Sequence, residues 1–220
     1  MKRYFHNELE DLRSQLVLLG EKAIDSVRMA SRGLLEQDLY FSEKVLEMDD
    51  AIDDLEVEID REAIRYISLR APVASDLRLL TVAIKASHDL ERVGDEATNI
   101  AKRTRKIQAE GPNPETLEIE EMTQIALEML RDALDSFVEE DPEKAIAICR
   151  RDKEVDDRDK RNFAGFAERM KDAPEHLAPL LEMVFISRSL ERVADHATNI
   201  AEEVVFLLSG QEKKAQDARG

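Results

Sequence analysis

The chain has 220 residues, 37% of them charged and only 5% aromatic, and its formal net charge is −17. That length suffices for one large core or two modest ones, and the scarcity of aromatics, Gly and Pro favours helix over sheet. The negative field repels phosphate backbones and anionic lipid, which excludes nucleic acid and bare membrane surface as natural partners and leaves cations and basic protein patches. No uncharged run approaches the roughly 20 residues of a transmembrane helix, and the start, Met1 to Glu8, has no apolar stretch fit for a signal peptide. Cys149 is the sole cysteine and reads as a small core residue. The expectation is a soluble, cytoplasmic chain without direct membrane insertion.

Leu9, Leu12, Leu16, Leu19, Ala23, Val27, Ala30 and Leu34 step by three or four, the spacing of a first helix. Val45, Met48, Ile52, Leu55, Ile59 and Ala63 repeat the pattern in a second, which Arg70-Ala71-Pro72 breaks. A third runs from about Ser75 to Gln108, and Gly111-Pro112-Asn113-Pro114 is the strongest breaker in the chain. Ile119, Met122, Ile125, Met129, Ala133 and Phe137 mark a fourth helix. Asp141-Pro142-Glu143 reads as an N-cap with Pro at the first helical position of a fifth, which runs to about Asp172. Pro174 and Pro179 bracket the start of a sixth, ending near Ser209-Gly210. The fold class is therefore all-α: two tandem antiparallel three-helix bundles, residues 1–111 and 112–210, with a polar tail at 211–220.

The halves are related by sequence. Leu90-Glu91-Arg92-Val93-Gly94-Asp95-Glu96-Ala97-Thr98-Asn99-Ile100-Ala101 returns one hundred residues later, changed only at Ala194 and His196. The second and fifth helices align at a shift of 103, which sets Asp49 on Asp152 and Asp53 on Asp156. A repeated helix needs to keep only its apolar stripe. This one also keeps its acids, which asks for a shared task.

Asp49 and Asp53 are four apart and share a helix face, as do Glu91 and Asp95. Both helices turn near Pro72. Counting from it gives 19 residues to Asp53 and 19 to Glu91, then 23 to Asp49 and 23 to Asp95. Antiparallel helices rise equally per residue, so these acids arrive level. About Pro174 the counts are 18 to Asp156 against 17 to Glu191, and 22 to Asp152 against 21 to Asp195. Each bundle thus brings four carboxylates to one seam, where they repel. A multivalent cation offsets that repulsion, and oxygen ligation suits Mg²⁺, Ca²⁺, Mn²⁺ or iron better than zinc. A solvated acidic face, neutralised by Arg92 and Arg192, is the competing reading. His196 stands where Glu96 does and reads as an accessory ligand or an exposed side chain; His6, His88 and His176 carry no pattern. There is no phosphate-cradling Gly loop, nucleophile elbow or Cys/His pairing, so the chain does not read as an enzyme.

At these residues the chain resembles the PhoU family of phosphate-signalling regulators. The resemblance rests on the pairs Asp49/Asp53, Glu91/Asp95, Asp152/Asp156 and Glu191/Asp195, on the two copies of Leu-Glu-Arg-Val, and on Ala71-Pro72-Val73-Ala74-Ser75-Asp76-Leu77-Arg78. The second half lacks that loop's Asp-Leu-Arg. The resemblance implies divalent or trivalent metal ions (iron, manganese, magnesium, zinc or calcium) at the acid pairs, and a cytosolic, often dimeric protein. It also implies negative regulation of phosphate uptake and of the starvation response, linking a phosphate ABC transporter ATPase to a sensor histidine kinase. Two rivals remain at this stage: a metal-free helical scaffold and a dimetal-carboxylate enzyme.

Overall fold

A computed structural model describes residues 6–111 and 113–209; the side chain of His6 and the polar tail at 211–220 lie outside the described residues. Six long helices follow in order: α1 (His6–Leu35), α2 (Leu39–Arg70), α3 (Ala74–Glu110), α4 (Ile119–Glu139), α5 (Pro142–Asp172) and α6 (Leu177–Ser209), with a single 3-10 turn at Pro174–His176. No strand occurs among the described residues. The helices are those the periodicity predicts, to within a few residues at each end.

Their ends follow local chemistry. Asp38 and Asp141 both take extended backbone as N-caps. Asp38 accepts from the N–H of Tyr40 at 2.9 Å, and Asp141 from those of Glu143 and Lys144 at 2.9 and 3.1 Å. Each such cap satisfies a donor the helix cannot, worth about 1 kcal/mol. α2 stops at Ala71, whose φ of 46° lies in the left-handed region. The following Pro72 bars the right-handed helix there. Pro174 opens the 3-10 turn, while Pro179 falls inside the first turn of α6, where its missing N–H has no partner to lose.

α1, α2 and α3 form one antiparallel bundle, and α4, α5 and α6 a second. The bundles join chiefly along α3 and α6, and along α1 and α4. The expected stripe of α1 is buried from Leu9 to Leu34, and one continuous apolar cluster threads both bundles. Cys149 lies in it. Because α3 and α6 carry the duplicated phrase and also meet each other, each copy has two sides to serve. One turns to the acid-bearing helix of its own half, the other to the opposite half.

Candidate metal centre

The repeated phrase places its apolar residues first. Leu90, Val93, Ala97 and Ile100 are buried on α3, as are Leu190, Val193, Ala197 and Ile200 on α6. At about 100° per residue this fixes where the acids lie, at the edge of the core rather than opposite it. Glu91 is half-buried, and its counterpart Glu191 is buried with 8% exposure. Spacing within one helix does not anticipate that depth. On α5, which packs against α6, Asp152 and Val155 are buried as well.

In the second half the acids converge. Asp152, Asp156 and Asp195 offer carboxylate oxygens that lie within 4.8 Å of one another. Asp152 is buried, Asp156 intermediate, and Asp195 keeps an exposed edge. Even so, removal from water and then the charges of Asp152 and Asp156 push the Asp195 carboxyl up to about 6, against the opposing pull of His196 and Arg188. Burial, then Asp195, pushes the Glu191 carboxyl up to about 7; Arg188 works against both. Arg188 lies 3.0 Å from Glu191 and 3.2 Å from Asp159. The other oxygen of Glu191, Oε2, is buried without a hydrogen-bond partner, as is the hydroxyl of Thr198. An orphaned carboxylate oxygen beside three clustered carboxylates is what a hard cation's oxygen ligands look like in its absence. The residues present fit such an ion.

The first half is arranged differently. Asp49, Asp53, Glu91 and Asp95 again share one seam. Loss of water and then the charges of Asp49 and Asp95 push Asp53 up, while burial and then Asp95 push Glu91 up. Here, however, the acids have local partners. Thr98 donates to Asp49 Oδ1 at 2.9 Å, and Arg92 lies 3.2 Å from Asp95 and 3.4 Å from Glu91. The seam extends towards the Pro72 turn through Glu56, Asp60 and His88, whose ligating atoms lie within 4.8 Å of one another. His88 Nε2 is 2.7 Å from Glu56 and 3.4 Å from Asp60. His88 therefore does have a place in the pattern. Counting from Pro72 gives 16 residues to Glu56 and 16 to His88, the same level test that pairs the acids.

One of the two changed positions of the phrase, 96/196, meets the other half in both copies. Glu96, buried, is 3.1 Å from Arg192. His196 Nδ1 and Asn199 Nδ2 lie 2.8 and 3.1 Å from Asp89. His196 is thus neither a simple exposed side chain nor part of the carboxylate cluster; it pins α6 to α3. Arg192, expected to screen the acids of its own half, is instead drawn across to Glu96.

The matches to known proteins follow this duplication. A family model described as the PhoU domain matches twice, over residues 16–104 and 119–204. The phosphate-specific transport system accessory protein PhoU homolog of Pseudomonas putida is 36% identical over 211 residues, covering 96% of this chain and 82% of the relative. That of Clostridium acetobutylicum is 33% identical over 217 residues, covering 98% and 99%. The crystal structure of PhoU from Pseudomonas aeruginosa superposes with a TM-score of 0.91 at 36% identity, over 94% of this chain and 100% of that one. That of the phosphate transport system regulatory protein PhoU from Streptococcus pneumoniae gives 0.88 at 28% identity, over 96% and 99%. These relatives are named as accessory and regulatory proteins of phosphate transport, not as enzymes. One domain match on each three-helix bundle, and relatives aligned along nearly the whole length, account for the repeated phrase: the chain belongs to the PhoU family.

Proposed function

We propose that this protein is a cytoplasmic negative regulator of phosphate uptake and of phosphate-starvation signalling. It links a phosphate ABC transporter ATPase to a sensor histidine kinase, works as a homodimer, and carries metal ions on its two acidic seams. The relatives' names support the connection to phosphate transport. No described helix is long and apolar enough to cross a membrane, in keeping with a partner that visits membrane assemblies.

The observation that carries the metal reading is the second seam. Asp152, Asp156 and Asp195 would hold an ion, with the orphaned Glu191 Oε2 as a further donor. Asp49, Asp53, Glu91 and Asp95 would serve in the first half. A bound cation there supplies charge neutralisation and no bond chemistry is asked of it. The protein's own residues do the rest: α5 and α6 hold the carboxylates level, and Arg188 limits the charge at one end. The face shown to a partner then differs in charge between its loaded and empty forms.

Metal content tests this directly. The purified chain should carry metal in stoichiometric amount, and a Glu91→Ala/Asp95→Ala/Glu191→Ala/Asp195→Ala variant should carry almost none. Equal, negligible content in both would sink the metal reading. For the regulatory reading, deleting the gene should derepress a phosphate-starvation reporter under phosphate-replete conditions; unchanged repression would overturn it.

A further inference from the structure

In a chain of net charge −17, the run Lys102-Arg103-Thr104-Arg105-Lys106 concentrates four cations near the end of α3. With Asn99 and Ala109 these cations line a cavity of about 560 Å³. Glu182 of α6 answers two of them, at 2.6 Å from Arg103 and 3.2 Å from Lys106. Lys102 and Arg105 are exposed, and no described carboxylate pairs with either. Elsewhere on this surface opposite charges meet, as in Arg65–Glu62, Arg151–Glu128 and Arg161–Glu118. The helix dipole does not explain the run, because it acts within the last turn, and that turn of α3 holds no basic residue.

Beside the groove stands an apolar ridge. Leu177, Leu181 and Phe185 of α6 follow at four-residue spacing on one helix face, with 51, 42 and 42% exposure. The Arg103 guanidinium lies 4.3 Å from the centroid of the Phe185 ring, which ties ridge to groove. Exposed apolar side chains next to Arg and Lys have the chemistry of a protein interface.

We propose that this groove and ridge form a docking surface for an acidic segment of a partner protein, whose apolar side chains cover Leu177, Leu181 and Phe185. The proposal rests on the reading of the chain as a regulator that acts through protein partners. Charge complementarity selects an acidic occupant. A nucleic acid would use the cations but gain little from the ridge of Leu177, Leu181 and Phe185. A small free anion is a poor match, because the N–H groups of α3 at this depth are spent within the helix and offer no cradle. The surface is continuous with the acidic seam of the first half. At about 100° and 1.5 Å per residue, Asp95, Asn99, Lys102 and Lys106 fall within about 60° of arc, and Lys102 lies about 10 Å along the axis from Asp95. A segment docked in the groove therefore reaches towards the first-half acids.

The test uses the full chain with a chelator present and a fluorescein-labelled acidic peptide bearing Leu or Phe at every fourth position. Anisotropy should report saturable binding that weakens with salt. Lys102→Glu/Arg105→Glu removes no ion pair, so its helical circular dichroism should match the parent while affinity falls at least about tenfold. Leu181→Ser should weaken binding by a smaller factor. A peptide with Lys in place of its acids should not bind. Unchanged affinity in the charge-reversed variant would overturn the proposal. So would displacement by inorganic phosphate combined with indifference to the peptide's Leu and Phe, or equally tight binding of a single-stranded oligonucleotide. Because the assay is metal-free and reporter-free, its failure leaves the metal-content and gene-deletion tests standing, and theirs leaves this one.

Discussion

In the first half of the molecule three of the four acids of the seam have an answer close at hand: Thr98 donates to Asp49, and Arg92 lies across Glu91 and Asp95. In the second half the same residue types stand at the same repeat positions, yet Thr198 has no partner and Arg192 has left for Glu96 on the opposite bundle. Arg188 stands where His88 does, and reaches Glu191 and Asp159 rather than the three clustered aspartates. Duplication has copied the ligands but not their surroundings. What separates the two seams is the packing of α3 on α6, which draws side chains of the repeated phrase to different tasks. The second seam is the one whose carboxyls are pushed furthest up, Glu191 to about 7 and Asp195 to about 6, so a cation there would relieve more.

The largest effect of that difference should be a pH dependence that is strongest in the second half. The Glu191 carboxyl rises from its ordinary 4.5 to about 7 in the folded chain. A raised acid binds more protons folded than unfolded, so it favours folding at low pH and that favour is lost as pH rises from 4.5 to about 7. The full difference is about 3 kcal/mol. With a chelator present, urea melts across this range should show Glu191→Gln relieving the loss at neutral pH, while Glu91→Gln does much less. Other acids shift the opposite way, Glu118 and Glu128 among them, held down by Arg161 and Arg151. The informative quantity is therefore the parent minus the variant at each pH. Equal responses from Glu91→Gln and Glu191→Gln would erase the contrast between the seams.

A middle-sized effect should separate the two arginines of the repeat. Arg192 is the partner of Glu96, a carboxylate with 8% exposure, whereas Arg92 spans acids that keep contact with water. Arg192→Ala should cost about 1–2 kcal/mol by stranding a buried charge. Arg92→Ala should stay within about 0.5 kcal/mol, as exposed ion pairs do. Thermal melts of the two single variants decide it, and similar losses from both would mean that the cross-bundle pair contributes nothing special.

Much of this was legible before any coordinates. Helical period gave the elements, Asp141 was readable as a cap, and counting residues from Pro72 and Pro174 levelled the acids. The same count sets His88 opposite Glu56, so that cluster was within reach of the sequence. The partners of Arg192, His196 and Asn199 were out of reach. Periodicity fixes which face of a helix is buried, but not how far α6 slides along α3, and that slide decides that residue 192 meets Glu96 and residue 196 meets Asp89. The burial of Glu191 was hidden for the same reason, since it depends on the approach of a neighbouring helix rather than on spacing within its own.

The smallest effect concerns position 94, the one apolar change between the copies. A Cβ added to Gly94 would lie 3.0 Å from Ile52 Cγ2 and 3.1 Å from its Cδ1, so α2 approaches α3 closely there. In the second half the repeat pairs Ala194 with Val155, moving one carbon across the seam from the α2-type helix to the α3-type helix. That reads as two solutions of the same volume, and a double-mutant cycle can tell. Gly94→Ala gains up to about 1 kcal/mol of helix propensity but overfills the contact by about 1–3 kcal/mol. Ile52→Val alone leaves a void and costs about 0.5–1.5 kcal/mol. Together they rebuild the Ala194/Val155 arrangement, so the double variant should be more stable than the two losses summed, by about 0.5–1 kcal/mol. Strict additivity in urea melts would show that the halves close their seams independently of this pair, and that the spacing which keeps the carboxylates level is set elsewhere along the helices.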